Sequence, residues 1–259
     1  MIDKSAIISK EAQIEEDVII GPYCVIEGEV YIGKGTQIGP MVHIKGKVRI
    51  GQGCKIHTGA VIGESAQHLS EDSTNGKVLI EDGAVIREYV SIHRATGDRT
   101  TIVGQNAYLM AYAHVAHDCV VGKNAILANC ATLGGHAVVE EYAFLGGLCA
   151  VHQWARVGKY AMVGGLSGVS LDVPPFCMAS GQHAKLYGLN LRGLKRHGFG
   201  QEVISALKRA YRTIFRSGLT KEQAFKIIEE EYLKFPEVRD MVNFVKNSKR
   251  GVTRDALVV

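Results

Sequence analysis

Residues 113–139 read AHVAHDCVVGKNAILANCATLGGHAVV, and an aliphatic side chain returns at every sixth position of this stretch. The same period extends over most of residues 8–169. It matches neither the helical period of about 3.6 residues nor the simple alternation of a strand, but it is typical of a parallel β-helix built from hexapeptides. The periodic positions are Ile8, Ile14, Ile20, Ile26, Ile32, Ile38, Ile44, Ile50, Ile56, Ile62, Ile80, Ile86, Ile92, Val103, Leu109, Val115, Val121, Leu127, Leu133, Val139, Leu145, Val151, Val157, Val163 and Val169.

Within each repeat, the aliphatic residue and the small residue two positions earlier are predicted to point into the prism, because side chains alternate along a strand. Three repeats then close one coil of 18 residues. Glycine often follows the aliphatic residue, and we expect a corner with positive φ there. The small positions in the later repeats are Cys119, Ala125, Ala131, Ala137, Ala143, Cys149, Ala155, Ala161 and Ser167.

Two segments interrupt the repeats. Residues 64–77 are polar but keep the phase, because Ile62 and Ile80 are 18 positions apart. Residues 95–100 break the phase, since only 11 positions separate Ile92 from Val103. Long loops on a rigid scaffold often contain functional residues, and a tolerated insertion is the alternative.

The repeats end at Val173, and helical periodicity follows. Residues 201–217 predict one helix, and Thr220 with Gln223 forms the capping-box pattern of a second helix that reaches about Phe235. Residues 237–249 predict a third helix. The predicted organisation is a β-helix over residues 1–184 and a helical C-terminal domain over residues 185–259.

The composition fits a soluble, ordered protein with 46% hydrophobic residues and no uncharged stretch long enough to span a bilayer. The N-terminus does not resemble a signal peptide, and the six cysteines lack metal-binding or paired spacing, so a cytoplasmic protein is expected. Residues 185–259 contain 16 basic and 8 acidic side chains. This basic end favours a phosphorylated ligand or an acidic protein, and no motif favours nucleic acid.

Histidines concentrate in the middle of the repeats. One coil separates His117 from Gly135, so the two are predicted to stack at about the 4.8 Å strand spacing, with Gln153 one coil further. An imidazole beside the Asp118 carboxylate can act as a general base, and an outward glycine N–H can stabilise an oxyanion. The column next to His117 contains Asp118, His136 and Trp154.

Six motifs accompany these columns: SIHR at 91–94, AHVAHDC at 113–119, GGH at 134–136, AVHQ at 150–153, DVPP at 172–175 and GLKR at 193–196. Together they resemble the family of UDP-N-acetylglucosamine O-acyltransferases that begin lipid A synthesis. The resemblance spans the whole chain and implies a left-handed β-helix assembled as a homotrimer, with sites between adjacent prisms. It implies transfer of a 3-hydroxyacyl chain from acyl carrier protein to the sugar 3-hydroxyl. The acyl-phosphopantetheine of that carrier is the donor, and no further cofactor and no metal are implied.

The resemblance also implies residue roles. His117 would be the base, Asp118 would orient it, and the Gly135 N–H would hold the oxyanion. Gly165 and His183 match the region that limits acyl length. Substrate contacts are implied for His68, His93, His114, His136, His152, Gln153, Asn190 and Arg196.

The first loop departs from the family pattern, because His68 and Ser70 stand where relatives often have an acid and a lysine. Arg192 and His197 also replace a usual glutamate and arginine. These departures leave a 3-amino sugar analogue open as the acceptor. Three other classes stay open: a metal-dependent hydratase using His114 and His117, a coenzyme A dependent acetyltransferase, and a non-enzymatic scaffold.

Overall fold

The computed structural model describes residues 1–258 and has the predicted left-handed parallel β-helix with a helical C-terminal part. Val259, the last residue of the predicted helical domain, lies outside the described residues. The strands are β1 (Ile7–Ile8), β2 (Gln13–Ile14), β3 (Ile19–Ile20), β4 (Val25–Glu27), β5 (Val30–Ile32), β6 (Gln37–Ile38), β7 (His43–Lys45), β8 (Lys47–Ile50), β9 (Lys55–Ile56), β10 (Val61–Glu64), β11 (Lys77–Ile80), β12 (Val85–Ile86), β13 (Ser91–His93), β14 (Thr100–Val103), β15 (Tyr108–Leu109), β16 (His114–Val115), β17 (Val120–Val121), β18 (Ile126–Leu127), β19 (Thr132–Leu133), β20 (Val138–Val139), β21 (Phe144–Leu145), β22 (Ala150–Val151), β23 (Arg156–Val157), β24 (Met162–Val163), β25 (Gly168–Val169), β26 (Cys177–Ser180) and β27 (Lys185–Leu189).

Every third strand joins the same sheet, and the three sheets form the walls of the prism. Wall 1 contains β1, β4 and each third strand to β25; wall 2 runs in the same way from β2 to β23. Wall 3 runs from β3 to β24 and continues into β26 and β27. Neighbouring strands pair so that periodic aliphatic residues are partners: Ile92 pairs with Val115, and Val115 pairs with Leu133. Each aliphatic residue therefore stacks on its counterpart one coil away.

The side chains that were predicted to point into the prism are buried there. The periodic residues from Ile20 onward are at most 2% exposed, and the small residues from Cys119 to Ser167 are buried with them. Burial of each large aliphatic side chain contributes roughly 1.5–3 kcal/mol. Cys24, Cys54, Cys119 and Cys149 fill the interior as free thiols.

The expected positive φ at the glycine that follows the aliphatic residue is wrong for most repeats. The left-handed residue comes two positions later, as at Asp118 with φ 61°. The glycine serves close packing between coils: a Cβ on Gly104 would lie 2.7 Å from the backbone nitrogen of Lys123. Coil-to-coil contact, and not backbone conformation, selects glycine there.

These left-handed residues form three outward columns, one at each edge of the prism. Edge 1–2, between walls 1 and 2, has the predicted column of Asp118, His136 and Trp154. The other two edges have different compositions. Edge 2–3 includes Asn106, Asn124, Tyr142, Tyr160 and Phe176, whereas edge 3–1 includes Tyr23, Met41, Tyr89, Tyr112, Cys130, Leu148 and Leu166.

The sheet continues beyond the predicted last repeat at Val173. Strand β26 pairs in parallel with β24, and β27 returns antiparallel to β26, so the sheet reaches Leu189. The predicted division between residues 184 and 185 therefore falls in the turn between two paired strands. Aliphatic periodicity could not indicate this hairpin, because β27 reverses direction.

Among the described residues, four helices follow: α1 (Leu191–Arg196), α2 (Gln201–Phe215), α3 (Lys221–Glu231) and α4 (Pro236–Lys246). The predicted capping box is present at the start of α3, but this helix ends at Glu231, before the expected Phe235. Helix α1 was not expected from the sequence. No helix within residues 1–258 combines the length and apolar character that crossing a membrane requires.

The helical part docks on edge 2–3. Tyr160 stacks with Tyr142 at 4.7 Å between ring centroids, and the edges of His197 and Phe199 meet Tyr160 at 5.2 and 5.0 Å. The C-terminal segment then returns to the prism, where Val252 bridges to Asp172 and Asp255 to Leu186. Edge 1–2 is consequently flanked by the C-terminal segment.

Candidate active site

His117 and Asp118 lie in the turn that follows β16, at edge 1–2. Nδ1 of His117 is 2.7 Å from Oδ2 of Asp118, and both side chains are 3% exposed. Because a carboxylate only accepts hydrogen bonds, the neutral imidazole donates from Nδ1 and leaves Nε2 as an acceptor. This tautomer is the one that a general base requires.

Several donors surround the Asp118 carboxylate. Nε of Arg99 donates to Oδ1 at 2.8 Å, and Thr96 approaches through its backbone N–H at 3.2 Å and its hydroxyl at 2.9 Å from Oδ2. Burial raises the pKa of Asp118, but hydrogen bonds from His117 and Thr96 outweigh burial and hold this pKa below its usual value. Asp118 is therefore ionised and fixed next to His117.

Gly135 lies one coil from His117, as predicted. The backbone N–H of His136 donates to the His117 carbonyl at 3.0 Å, and that of Trp154 to the Gly135 carbonyl at 3.1 Å. A Cβ on Gly135 would lie 2.5 Å from Nε2 of His117. Within residues 1–258 the Gly135 N–H makes no hydrogen bond, so it is available to a ligand beside Nε2.

The ring of His136 packs between the rings of Trp154 and His117. It stacks on Trp154 at 3.7 Å between centroids and meets the His117 ring edge-on at 5.2 Å. Nε2 of His136 is 3.6 Å from Asp118 Oδ2. Burial lowers the pKa of His136 despite this nearby charge. A neutral imidazole at this position can donate to a polar substrate atom.

His68 reaches the same cluster from the loop of residues 65–76, which we name the first loop. Its ring meets His117 edge-on at 5.2 Å. Nδ1 of His68 accepts the backbone N–H of Glu71 at 2.9 Å, so in the neutral ring the proton is on Nε2. The residue that departs from the family pattern thus lies against His117.

His93 and His114 form a second pair on adjacent strands of wall 1, with ring centroids 5.1 Å apart. Nδ1 of His114 is hydrogen-bonded to the Ser91 hydroxyl at 2.7 Å, and burial with neighbouring His93 lowers the pKa of His114 to about 4. Nδ1 of His93 is buried without a hydrogen-bond partner among residues 1–258.

The remaining predicted residues lie in other parts of the chain. Nδ1 of His152 accepts from Arg250 of the C-terminal segment at 2.8 Å, and Gln153 is exposed. Asn190 caps α1, since its Oδ1 accepts the Gly193 N–H at 3.1 Å. The other three predicted positions are exposed: Arg196 at the end of α1, Gly165 beside Leu166, and His183 in the turn before β27.

Sequence reasoning missed the residues that support Asp118: Glu71, Thr96 and Arg99. The loop of residues 94–99, which we name the second loop, overlaps residues 95–100, where the sequence predicted a break in the phase of the repeats. Arg99 of this loop bonds Glu71, 28 positions earlier, and no periodic pattern in the sequence indicates this contact. A break in phase could locate the loop but not its partner.

A cavity of about 580 Å³ opens beside this cluster, between edge 1–2 and the C-terminal segment. Asp118, His136 and Trp154 form one side of it. Arg156, Lys249 and Arg250 line it as well. The three basic side chains outnumber the carboxylates of Asp118 and Asp172 in the lining, which favours an anionic ligand.

His117, Asp118 and His136 also offer donor atoms within 4.8 Å of one another, a separation suitable for a metal ion. However, both Asp118 oxygens already accept from Arg99, Thr96 and His117. The adjacent guanidinium would also oppose a bound cation. The expectation that no metal takes part stays a prediction, which metal analysis of the purified protein tests.

The fold and this site define a hexapeptide-repeat acyltransferase. A profile described as bacterial transferase hexapeptide matches residues 29–64 and 100–135, and one described as UDP N-acetylglucosamine O-acyltransferase, domain 2, matches residues 172–253. The chain belongs to the family of acyl-[acyl-carrier-protein]–UDP-N-acetylglucosamine O-acyltransferases.

Two curated relatives bear that name. The one from Aquifex aeolicus (strain VF5) is 66% identical over 255 residues, with 98% of each chain covered. The one from Sulfurihydrogenibium sp. (strain YO3AOP1) is 60% identical over 257 residues, covering 98% of this chain and 95% of the relative.

Solved structures agree in fold. The UDP-N-acetylglucosamine O-acyltransferase of Moraxella catarrhalis RH4 superimposes with a TM-score of 0.94 at 38% identity, covering 98% of this chain and 99% of its own. The UDP-N-acetylglucosamine acyltransferase of Francisella novicida gives 0.95 at 34% identity, with coverages of 99% and 95%.

Proposed function

We propose that this protein transfers a 3-hydroxyacyl chain from acyl carrier protein to the 3-hydroxyl of UDP-N-acetylglucosamine, the first step of lipid A biosynthesis. The observation on which this rests most is the His117–Asp118 pair at 2.7 Å with Nε2 of His117 facing Gly135. The names of the curated relatives support the same reaction. A coenzyme A dependent acetyltransferase would not account for this family membership.

In the proposed reaction, Nε2 of His117 takes the proton of the sugar 3-hydroxyl as its oxygen attacks the thioester carbonyl carbon. The new C–O bond forms and the carbonyl oxygen becomes an oxyanion, which accepts a hydrogen bond from the Gly135 N–H. The C–S bond then breaks, and the leaving thiolate receives the proton held by His117. Asp118 stabilises the imidazolium between these two steps.

The charged substrate parts fit the basic cavity. A diphosphate or the phosphate of phosphopantetheine would be attracted by Arg156, Lys249 and Arg250, which line it. Asn190 and Arg196 lie on α1, away from this edge, and we propose that they reach the nucleotide from an adjacent subunit. His152 and Gln153 extend the same edge towards the C-terminal segment.

We further propose a homotrimer that packs along edge 3–1. Tyr112, Leu148 and Leu166 are 58%, 61% and 66% exposed, so they form an apolar column that a neighbouring prism would cover. Gly165 precedes Leu166 of this column, which supports the proposal that Gly165 and His183 limit acyl length along the same seam. Gly165→Met is expected to shorten the preferred acyl chain.

The acidic carrier protein would dock on the basic helical part. Lys208, Arg209 and Arg212 are candidates on α2, whereas Arg216 is already bound to Asp255 at 2.8 Å. We also propose the cytoplasm as the compartment in which the protein acts.

The decisive experiment is mass spectrometry of products formed from 3-hydroxyacyl carrier proteins of several lengths. UDP-N-acetylglucosamine competes in the same reaction with its 3-amino analogue. An O-acylated sugar nucleotide is expected as the main product. An amide would instead assign the 3-amino acceptor, and transfer only from coenzyme A thioesters would overturn the proposal.

A further inference from the structure

The first and second loops meet at the carboxylate of Asp118. Arg99 of the second loop donates from Nε to Asp118 Oδ1 at 2.8 Å and from Nη2 to Glu71 Oε2 at 2.5 Å. The hydroxyl of Thr96 lies between the same two acids, 2.6 Å from Glu71 and 2.9 Å from Asp118. Two acids, a guanidinium and a hydroxyl thus form one continuous network.

This network differs from an ordinary surface ion pair. Exposed ion pairs contribute little to stability, and both side chains of the Arg99–Glu71 half are about half exposed. The Asp118 half is buried to 3% exposure, where a charge-assisted hydrogen bond is stronger and more directional. The energetic effect is therefore concentrated at the carboxylate that contacts His117.

The two oxygens of Asp118 are held from opposite directions. His117 bonds Oδ2 and Arg99 bonds Oδ1, so rotation of the carboxylate away from the imidazole would also break the arginine contact. Asp118 itself is held in a left-handed conformation with φ 61°, and its backbone N–H donates to the Thr101 hydroxyl at 2.9 Å. The carboxylate has a single well-defined orientation towards His117.

The first loop is linked to both His117 and Asp118. Glu71 reaches Asp118 through Arg99, and the Glu71 backbone N–H also fixes Nδ1 of His68, whose ring packs on His117. Arg94 adds a hydrogen bond to the Ser65 hydroxyl at 2.9 Å. Loss of the Arg99 link would leave Thr96 as the remaining contact between Glu71 and Asp118, so both the loop and the carboxylate would be held less firmly.

We propose that Arg99, anchored by Glu71, is a positioning residue for acyl transfer: it fixes the Asp118 carboxylate against His117 and couples the seating of the first loop to alignment of the base. This inference rests on the proposed function, since it concerns the same site. Arg99 acts through Asp118.

The test compares Arg99→Gln, Arg99→Lys and Glu71→Gln with Arg49→Gln. The control replaces an exposed arginine that stacks on Tyr31 of β5. We expect R99Q to lower kcat by up to about 100-fold, with KM for the sugar nucleotide within about twofold and an unchanged Tm, because misalignment of the base affects the chemical step. R99K keeps the positive charge but lacks the planar guanidinium group. Its kcat should therefore lie above that of R99Q and below that of wild type. The kcat of E71Q should lie between those of R99Q and wild type, and the kcat of R49Q should equal that of wild type.

The pH profile separates positioning from a merely structural role. The charged and titratable groups that face Asp118 are His117, His136 and Arg99, with Glu71 behind Arg99 and His68 against His117. Removing the guanidinium makes protonation of the pair easier, so the acidic limb of the kcat/KM profile should move to higher pH in R99Q and stay in place in R99K.

Two results would overturn the inference: a kcat of R99Q within twofold of wild type, or a loss confined to KM, which would make Arg99 a substrate-binding residue. Failure of the proposed function is distinguishable, because the wild-type protein itself would then form no acylated sugar nucleotide.

Discussion

Nδ1 of His117 is hydrogen-bonded to Oδ2 of Asp118 over 2.7 Å, with both side chains buried. This relationship commits one ring nitrogen to the carboxylate and leaves Nε2 of His117 as a hydrogen-bond acceptor. In the proposed reaction, the carboxylate orients the ring and stabilises its protonated form.

Replacement of His117 by alanine removes the base. We expect kcat to fall by roughly 10²–10⁴-fold, the usual contribution of general base catalysis. Asp118→Asn should also lower kcat, because an amide cannot stabilise the imidazolium. Both are measured by initial rates with acyl carrier protein thioester, alongside thermal melts. Intact transfer by H117A would exclude His117 as the base.

A side chain on Gly135 should disable the site without unfolding the prism. The new Cβ of Gly135→Ala would lie 2.5 Å from His117 Nε2, so the ring or the oxyanion donor must move. We expect kcat to fall on the order of 10²-fold, as when one oxyanion donor is lost.

The matched control for Gly135→Ala is Gly200→Ala. This glycine precedes α2 with φ −66°, and its Cβ would contact nothing within 4 Å. The kcat and the Tm of G200A should equal those of wild type. If G135A retained full activity, the proposed oxyanion position would be wrong.

The half-buried His114 should make stability depend on pH. Its pKa is about 4 in the folded protein, below the value of about 6.5 in an unfolded chain. Between these values the unfolded state binds more protons, so the free energy of unfolding falls as pH drops from 6.5 towards 4.

Urea denaturation at pH 5 and pH 7 measures this effect. The difference between the two pH values should be smaller in His114→Gln than in wild type. His183→Gln, at an exposed position, should match wild type. An equal pH difference in H114Q would show that His114 does not account for the effect.

The apolar column at edge 3–1 should hold the trimer together. Leu148→Arg places a charge at a position that is 61% exposed in the single chain and covered in the proposed assembly. Light scattering after size-exclusion chromatography should show a trimer for wild type and smaller species for L148R, because a buried unpaired charge is costly.

Leu219→Arg is the control for the trimer test, since Leu219 is an exposed leucine in the loop before α3. It should remain trimeric. A monomeric wild type, or a trimeric L148R, would contradict the proposed seam.

Most of the fold could be predicted because the repeat period is a local signal repeated many times. Ile92, Val115 and Leu133 stack because each coil returns the chain to the same angular position. The same arithmetic predicted that His117, Gly135 and Gln153 would align. The hairpin of β26 and β27 was missed because its reversed strand has no hexapeptide phase.

The sequence by itself determined the prism, its core and the vertical alignment of His117 with Gly135, since a fixed 18-residue coil converts spacing along the chain into distance in space. Only the tertiary structure decided which side chains approach this column from the sides. The contacts of His68 with His117, of Arg99 with Asp118 and of Arg250 with His152 join segments that have no common period. Their partners are selected by charge and packing after the coils have formed, and these long-range interactions leave no pattern in one sequence.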